Sequence, residues 1–155
     1  MSSSRPSRRD FCVHACQAAS LVTIASWLEA CGGSLTSPSN APALPAISAT
    51  VSSGAITLTI DSSSPLANVG GAALVQTASG NFLVARTAQD TFTALTAICT
   101  HEACTVSGFQ NQHYVCPCHG SEYTTSGAVV QGPAPAPLRQ FATRLTGPVL
   151  TITVA

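Results

Sequence analysis

Short segments rich in apolar residues and threonine, separated by turn residues, recur along the chain from residue 46 to its end. Residues 55–60 have the clearest strand pattern, because isoleucine and leucine alternate there with threonine, the period-two arrangement of a half-buried strand. Further predicted strands are 47–51, 72–77, 82–86, 91–98, 139–145 and 149–154, with turn residues at 52–54, 79–81 and 147–148. No long segment after position 45 has a helical period. The sequence therefore predicts an all-β fold, an antiparallel β sandwich or a small barrel.

The composition supports one folded domain and excludes several classes of protein. A length of 155 residues with 45% hydrophobic residues is enough for one core and too short for a large multi-domain enzyme. Only 8% of the residues are charged, and six basic residues, all arginine, balance six acids. A nucleic-acid partner is not expected, because such proteins carry a basic patch that this chain lacks.

The first 31 residues have the pattern of an export signal. Arg8 and Arg9 precede a run without formal charge over 11–28, and the surrounding S-R-R-x-F resembles a twin-arginine signal. Cys31 ends a segment that resembles a bacterial lipobox, which makes it a lipidation candidate. A lipoprotein, a retained anchor and a cleaved soluble form all stay open. Each places the folded part in the periplasm, tethered to the bacterial inner membrane or free.

A change of composition separates this N-terminal segment from the strands. Residues 32–45 are mainly glycine, serine, proline, asparagine and alanine, which predicts a flexible linker. The folded domain is therefore expected over 46–155, on a tether that lets it move between partners.

Two blocks of cysteine and histidine carry the chemistry of the sequence. The first reads C-T-H-E-A-C over residues 99–104, and the second reads C-P-C-H-G-S-E-Y over residues 116–123. Each block combines cysteine and histidine at short spacing, so two such loops facing each other would enclose one metal centre. Structural zinc is one reading of these ligand types, but the spacing of a zinc finger is absent.

The two blocks resemble the Rieske iron–sulfur family, whose motif is C-x-H followed after a gap by C-x-x-H. The resemblance implies one 2Fe–2S cluster, with Cys99 and Cys116 on the inner iron and His101 and His119 on the outer iron. Neutral imidazoles in place of two thiolates reduce the negative charge of the centre, which favours uptake of an electron. The cluster-binding part is expected at about 97–135.

The resemblance assigns roles to further residues near these ligands. It implies a disulfide between Cys104 and Cys118, which an oxidising compartment would preserve. It also implies hydrogen bonds from Ser121 to a bridging sulfide and from Tyr123 to a ligand sulfur. The segment that matches the family's cover loop over the cluster comprises Gly132, Pro133, Ala134 and Pro135. His113 has no such role and is predicted on the surface or on an edge strand.

One departure from the family pattern bears on docking. Rieske proteins of cytochrome bc complexes usually have leucine and glycine in the first block, where this chain has Glu102 and Ala103. A carboxylate at this place is expected to weaken docking into an apolar quinol pocket and to favour a basic partner.

The sequence therefore predicts an exported, membrane-tethered one-electron carrier that passes electrons from a quinol or a dehydrogenase to a c-type cytochrome. Two alternatives stay open: the Rieske subunit of a quinol–cytochrome c reductase, and the small subunit of a periplasmic oxidoreductase such as arsenite oxidase. No substrate site of its own is expected. A component of a Rieske oxygenase is disfavoured, because a hydroxylase needs a second iron site with two histidines and a carboxylate.

Overall fold

The computed structural model describes residues 40–155, which form twelve β-strands and no helix, so the all-β prediction is confirmed. The strands are β1 (Ala46–Ser48), β2 (Val51–Ser52), β3 (Ala55–Thr59), β4 (Ala72–Thr77), β5 (Gly80–Ala88), β6 (Thr91–Thr96), β7 (Gly108–Gln110), β8 (His113–Val115), β9 (Glu122–Thr124), β10 (Val129–Gln131), β11 (Gln140–Thr146) and β12 (Val149–Thr153). No helix with the length and hydropathy of a membrane crossing occurs within residues 40–155. The predicted export signal, Cys31 and most of the predicted linker lie outside the described residues.

Eight strands form one curled sheet in the order β1-β4-β5-β6-β11-β12-β3-β2. Segment 46–52 contains both β1 and β2, so it lies at both ends of the sheet and draws the sheet into a small barrel. The predicted hairpins are present, since β4 pairs antiparallel with β5 and β11 pairs antiparallel with β12. The single strand predicted at 47–51 is wrong. The chain changes partner at the barrel seam, where β1 pairs parallel with β4 and β2 pairs antiparallel with β3.

Strand β5 lies between two apolar cores. Phe82 and Val84 belong to the core inside the barrel, whereas Leu83 and Ala85 belong to a second core on the opposite face. Successive side chains of a strand point to opposite faces, so burial on both faces explains the continuous apolar run here. Strand β3 has only one buried face, and it buries its apolar residues and exposes its threonines, which confirms the period-two prediction.

A four-stranded antiparallel sheet in the order β10-β9-β8-β7 contributes to the second core. Tyr114 on β8 and Tyr123 on β9 are cross-strand neighbours and are both buried in that core. The first Cys–His block follows β6 of the barrel, and the second connects β8 to β9. The barrel and the small sheet therefore each supply one loop to the site.

The last residues of the predicted linker belong to the fold. Ala43 forms a β-bridge with Gly108, and the Leu44 N–H donates to the Ser107 carbonyl at 2.8 Å. The Leu44 side chain is buried in the second core. The prediction that the linker extends to residue 45 is wrong at this end. Burial of the Leu44 side chain holds this segment against the domain, although the residues around it are small or polar.

Candidate metal centre

The first Cys–His loop (residues 99–104) is a tight turn closed by its own backbone. The Cys99 N–H donates to the Cys104 carbonyl at 2.8 Å, and the Ala103 N–H donates to the Cys99 carbonyl at 3.0 Å. Ala103 has a φ of 57°, in the left-handed region. A residue with a Cβ is strained there, because the Cβ crowds the following carbonyl.

The second Cys–His loop (residues 116–121) repeats this backbone pattern. The Cys116 N–H donates to the Ser121 carbonyl at 2.8 Å, and the Gly120 N–H donates to the Cys116 carbonyl at 3.0 Å. Gly120 has a φ of 68° and occupies the position that Ala103 has in the first loop. The backbone therefore holds Cys99 and Cys116 in the same way, although the residues that follow each cysteine in its loop differ.

The Cys99 side chain is 3% exposed, and its sulfur is surrounded by hydrogen-bond donors. Burial raises the pKa of the Cys99 thiol. Hydrogen bonds from the Tyr123 hydroxyl, the backbone N–H groups of His101 and Glu102 and the Cys116 thiol outweigh burial, so the pKa falls below its usual value. The thiolate is the form that binds metals. The first loop thus favours the metal-binding state of its cysteine.

Cys116 is equally buried and receives the equivalent backbone amides. Burial and the neighbouring Cys99 sulfur raise the pKa of the Cys116 thiol, while the backbone N–H groups of Cys118 and His119 act in the opposite direction. In both loops the donating amides come two and three residues after the cysteine. Two adjacent negative sulfurs repel each other unless a cation lies between them, which is the arrangement that a metal centre provides.

His101 and His119 bring two imidazoles to the same place. Their ring centroids are 4.9 Å apart, and the ring planes meet at 86°. The Nδ1 atom of His101 is buried and has no hydrogen-bond partner within residues 40–155. Buried polar atoms are rarely left unsatisfied, so this nitrogen is the atom at which a bound group is most clearly expected. The His119 side chain is 35% exposed.

The Tyr123 hydroxyl lies 3.3 Å from the Cys99 sulfur and 3.2 Å from Oγ1 of Thr100. The Thr100 N–H donates to the same hydroxyl oxygen, and the Thr100 hydroxyl donates to the Ala136 carbonyl at 2.7 Å. Because the Thr100 proton is used on Ala136, the single Tyr123 proton is shared between the sulfur and Thr100. A charged sulfur is the stronger acceptor. Thr100 and Ala136 were not among the predicted site residues, because their contact spans 36 positions and has no sequence signal.

Ser121 is fully buried beneath the segment predicted to cover the site. Its Oγ accepts a hydrogen bond from the Ala134 N–H at 3.2 Å, and its own hydroxyl hydrogen has no acceptor among the described residues. Gly132 lies directly against it, since a Cβ added there would be 2.6 Å from the Ser121 Cα. The predicted cover loop, residues 132–135, is thus in contact with the second Cys–His loop.

Cys104 and Cys118 form a disulfide that joins the two loops. The sulfur atoms of Cys104, Cys116 and Cys118 all lie within 4.8 Å of one another, so the bridge lies beside the buried thiol of the second loop. A crosslink of this loop length restricts the unfolded chain and stabilises a domain by about 3 kcal/mol.

Glu122 and His113 lie beside the site on the small sheet. Glu122 accepts a hydrogen bond from Nε2 of Gln131 at 3.1 Å, and its other carboxylate oxygen is 3.6 Å from Nδ1 of His113. The His113 side chain is 33% exposed, in agreement with the surface prediction. The edge-strand alternative is wrong, because β8 lies between β9 and β7.

Comparison with known proteins establishes the family. The family described as Rieske [2Fe-2S] domain matches residues 59–142, which is more than half of the chain. The chain belongs to the Rieske [2Fe-2S] domain family. This match includes both Cys–His loops and the predicted cover loop, residues 132–135.

Two relatives share part of the Rieske domain. The cytochrome b6-f complex iron-sulfur subunit of Chlorobaculum thiosulfatiphilum is 41% identical over 64 residues, which are 41% of this chain and 35% of that protein. The subunit of the same name from Trichodesmium erythraeum is 52% identical over 46 residues, which are 28% of this chain and 25% of that protein. The chain therefore matches about a third or less of the length of these curated relatives.

Two solved structures are similar to the Rieske domain described here. The cyanobacterial plasma membrane Rieske protein from Synechocystis PCC 6803 is 32% identical, with coverage of 53% of this chain and 85% of that chain and a TM-score of 0.48. The ferredoxin of carbazole 1,9a-dioxygenase from Nocardioides aromaticivorans IC177 is 17% identical, with coverage of 64% and 98% and a TM-score of 0.51. The second likeness shows a shared fold.

A Rieske domain carries one 2Fe–2S cluster, and the residues of the site fit that group. Cys99 and Cys116 are buried and outside the disulfide, so their two thiolates would be available to bind iron. The unpartnered Nδ1 of His101 would supply a nitrogen ligand, and the neighbouring imidazole of His119 would supply a second. The hydroxyl hydrogen of Ser121 is free to donate to a sulfide. Two sulfur and two nitrogen donors are the ligand set of a Rieske centre.

Replacing Ala103 by glycine is expected to stabilise the domain by about 0.5–1 kcal/mol, measured by urea unfolding of the full chain with circular dichroism. Glycine removes the crowded Cβ at a φ of 57°, and that gain exceeds the backbone entropy that glycine adds to the unfolded chain. Ala78→Gly is the control, because Ala78 has no positive φ and should lose stability on the same change. Equal losses in the two variants would contradict the assigned strain.

Replacing Gly132 by alanine is expected to destabilise the domain by about 2 kcal/mol. The new Cβ would meet backbone atoms of Ser121 at 2.6 Å, and the φ of 93° already disfavours a side chain. Gly147→Ala is the matched control: it has a φ of 54° but open space around its Cβ, so only the conformational cost of about 1 kcal/mol applies. Denaturant unfolding of both variants measures the difference. Identical losses would show that the cover loop does not press on the second Cys–His loop.

Proposed function

We propose that this chain is an exported one-electron carrier whose 2Fe–2S cluster is bound by Cys99, His101, Cys116 and His119. The observation that carries the proposal is the convergence of two buried thiols and two imidazoles from loops with the same backbone pattern. When bound, the cluster takes up and releases one electron. The residues of the chain hold the cluster, adjust its potential and exclude water from it.

Hydrogen-bond donors near the cysteine sulfurs set the potential in this proposal. Tyr123 donates toward the Cys99 sulfur, and we propose that Ser121, whose Oγ accepts from the Ala134 N–H, donates its own hydroxyl hydrogen to a bridging sulfide. Each donor stabilises the reduced, more negative state and thereby raises the reduction potential. The cover loop, residues 132–135, supports this by packing over Ser121 and keeping it dry.

Partners are proposed to make contact at the imidazole side of the site. The His119 side chain is 35% exposed, whereas Cys99 is 3% and Cys116 is 1% exposed. An electron that enters or leaves through His119 crosses less protein than one that passes through the cysteines.

The N-terminal segment is proposed to export the chain and tether it at the periplasmic side of the inner membrane. The features that support this are Arg8, Arg9, the uncharged run over 11–28 and Cys31, all outside the described residues. The electron donor is proposed to be a quinol or a dehydrogenase, and the acceptor a c-type cytochrome. Membership of a quinol-oxidising complex is the second candidate, and the name of the matched relatives, cytochrome b6-f complex iron-sulfur subunit, favours it.

Purification of the full chain from the membranes of its own host tests both candidates. We expect the purified protein to have a visible iron–sulfur spectrum. After reduction, it should transfer one electron to an oxidised c-type cytochrome in a stopped-flow experiment. The Cys116→Ser variant, which lacks one proposed ligand, should not do so. Haem b in the purified material would identify a complex subunit, and its absence an independent carrier. A colourless protein that contains zinc would contradict the proposal.

A further inference from the structure

Formal charge is divided unevenly between two parts of the described chain. The cluster-binding part, residues 97–135, contains two acids and no arginine or lysine, which gives a charge of −2 with neutral histidines. The other described residues contain three arginines and two aspartates, which gives +1. The charged residues are Glu102 and Glu122 in the first set and Asp61, Arg86, Asp90, Arg139 and Arg144 in the second. The part that holds the site is therefore the negative part of the molecule.

The two acids of the cluster-binding part have different surroundings. The Glu122 side chain is 18% exposed, and its carboxylate is engaged with Gln131 and His113. The Glu102 side chain is 61% exposed, and its Oε2 lies 3.7 Å from Nδ1 of His119. No other polar side chain within residues 40–155 pairs with the Glu102 carboxylate. Glu102 is thus the accessible negative charge beside His119, a proposed ligand that is itself partly exposed.

The loop that carries Glu102 is fixed on both sides. Its own backbone N–H is directed at the Cys99 sulfur, the next residue occupies the left-handed turn, and Cys104 is held by the disulfide. The backbone of Glu102 is therefore held beside the second Cys–His loop, which keeps its carboxylate near the His119 ring. The negative charge of Glu102 therefore acts on any molecule that approaches the site at His119.

We propose that the face around Glu102 and His119 is an anionic docking face that selects a redox partner presenting lysine or arginine side chains around its own redox group. This inference rests on the proposed function and names the surface chemistry of the partner. Opposite charge at the contact increases the encounter rate and orients the complex, whereas a partner with an acidic surface is repelled. The net positive charge of the rest of the described chain adds to this orientation by disfavouring the approach of a basic partner there.

Two small oxidants of opposite charge test the effect of the Glu102 charge without the natural partner being known. The full chain with its cluster reduced is mixed in a stopped-flow instrument with tris(phenanthroline)cobalt(III), a cation of charge three, or with ferricyanide, an anion of charge three. We expect Glu102→Gln to slow the reaction with the cation about five-fold and to accelerate the reaction with the anion about five-fold at an ionic strength of about 0.1 M, where the Debye length is about 10 Å. At about 1 M salt the Debye length falls to about 3 Å, and the difference from wild type should disappear.

Asp90→Asn is the matched control, because it removes one negative charge at the opposite end of β6 from Cys99. Its rates with both oxidants should stay within about 1.5-fold of wild type, since a charge beyond a Debye length acts weakly. Equal effects of Glu102→Gln and Asp90→Asn, or no effect of either, would overturn the docking face. The visible spectrum recorded before mixing distinguishes failure of the docking face from failure of the proposed function. A normal cluster spectrum with unchanged rates in Glu102→Gln refutes only the docking face, whereas a missing cluster in wild type refutes the proposed function.

Discussion

Replacing Cys104 and Cys118 together by serine is expected to lower the free energy of unfolding by about 3 kcal/mol and to shorten the lifetime of the bound cluster. The disulfide closes a segment of the chain and joins the two Cys–His loops. Without it, the unfolded chain gains freedom and the loops can separate in the native state. Denaturant unfolding measures the first effect, and the decay of visible absorbance at constant temperature measures the second.

The wild-type chain treated with a phosphine reductant provides the control for this disulfide prediction. Chemical reduction of the bridge should reproduce the faster decay without any change of sequence. Alkylation mapped by mass spectrometry should show Cys104 and Cys118 unreactive before reduction and reactive after it. A double serine variant as stable as wild type, with an unchanged cluster lifetime, would contradict a role for the bridge.

Tyr123→Phe and Ser121→Ala are each expected to lower the reduction potential by tens of millivolts while the cluster stays assembled. A hydrogen bond to a charged group is worth about 1.5–3 kcal/mol, and only the difference between the two oxidation states changes the potential. For one electron, about 1.4 kcal/mol corresponds to about 59 mV. Voltammetry of the full chain measures each variant and the double variant, for which we expect the larger shift.

Tyr114→Phe is the matched control for the potential. Tyr114 is the buried cross-strand neighbour of Tyr123, but its hydroxyl has no hydrogen-bond partner among the described residues. Removing an unpaired buried hydroxyl can be neutral or stabilising, so the potential should stay within about 10 mV of wild type. Equal shifts in Tyr114→Phe and Tyr123→Phe would show that the phenol near Cys99 acts only through packing.

The parts of the fold that were predictable from sequence are those decided by neighbouring residues. In the β4–β5 and β11–β12 hairpins, two short strand segments flank a glycine-containing turn, and both hairpins are present. The split of residues 46–52 between two strand partners was not predictable, because it depends on where the barrel closes. The burial of Leu44 likewise depends on β7, which is more than sixty residues away along the chain.

The site also has some features that were predictable from sequence and others that were not. The short spacing of cysteine and histidine in each block was enough to predict one local loop per block, and the resemblance to the Rieske family predicted that the two loops meet. The equivalent backbone pattern of the two loops was not visible, since it depends on the φ of Ala103 and Gly120 and on the direction of backbone amides. The role of Thr100, between Tyr123 and Ala136, arises only where three distant segments meet.

Histidine ligation of the cluster is tested most directly by pulsed EPR of the reduced full chain grown with 15N-histidine. We expect two strongly coupled nitrogens that both change on labelling and that both persist in His113→Gln, which replaces a histidine outside the site. His101→Gln and His119→Gln should each lose the two-nitrogen signal. A reduced cluster without coupled histidine nitrogen, or a coupling that disappears in His113→Gln, would contradict the assignment of His101 and His119 as ligands.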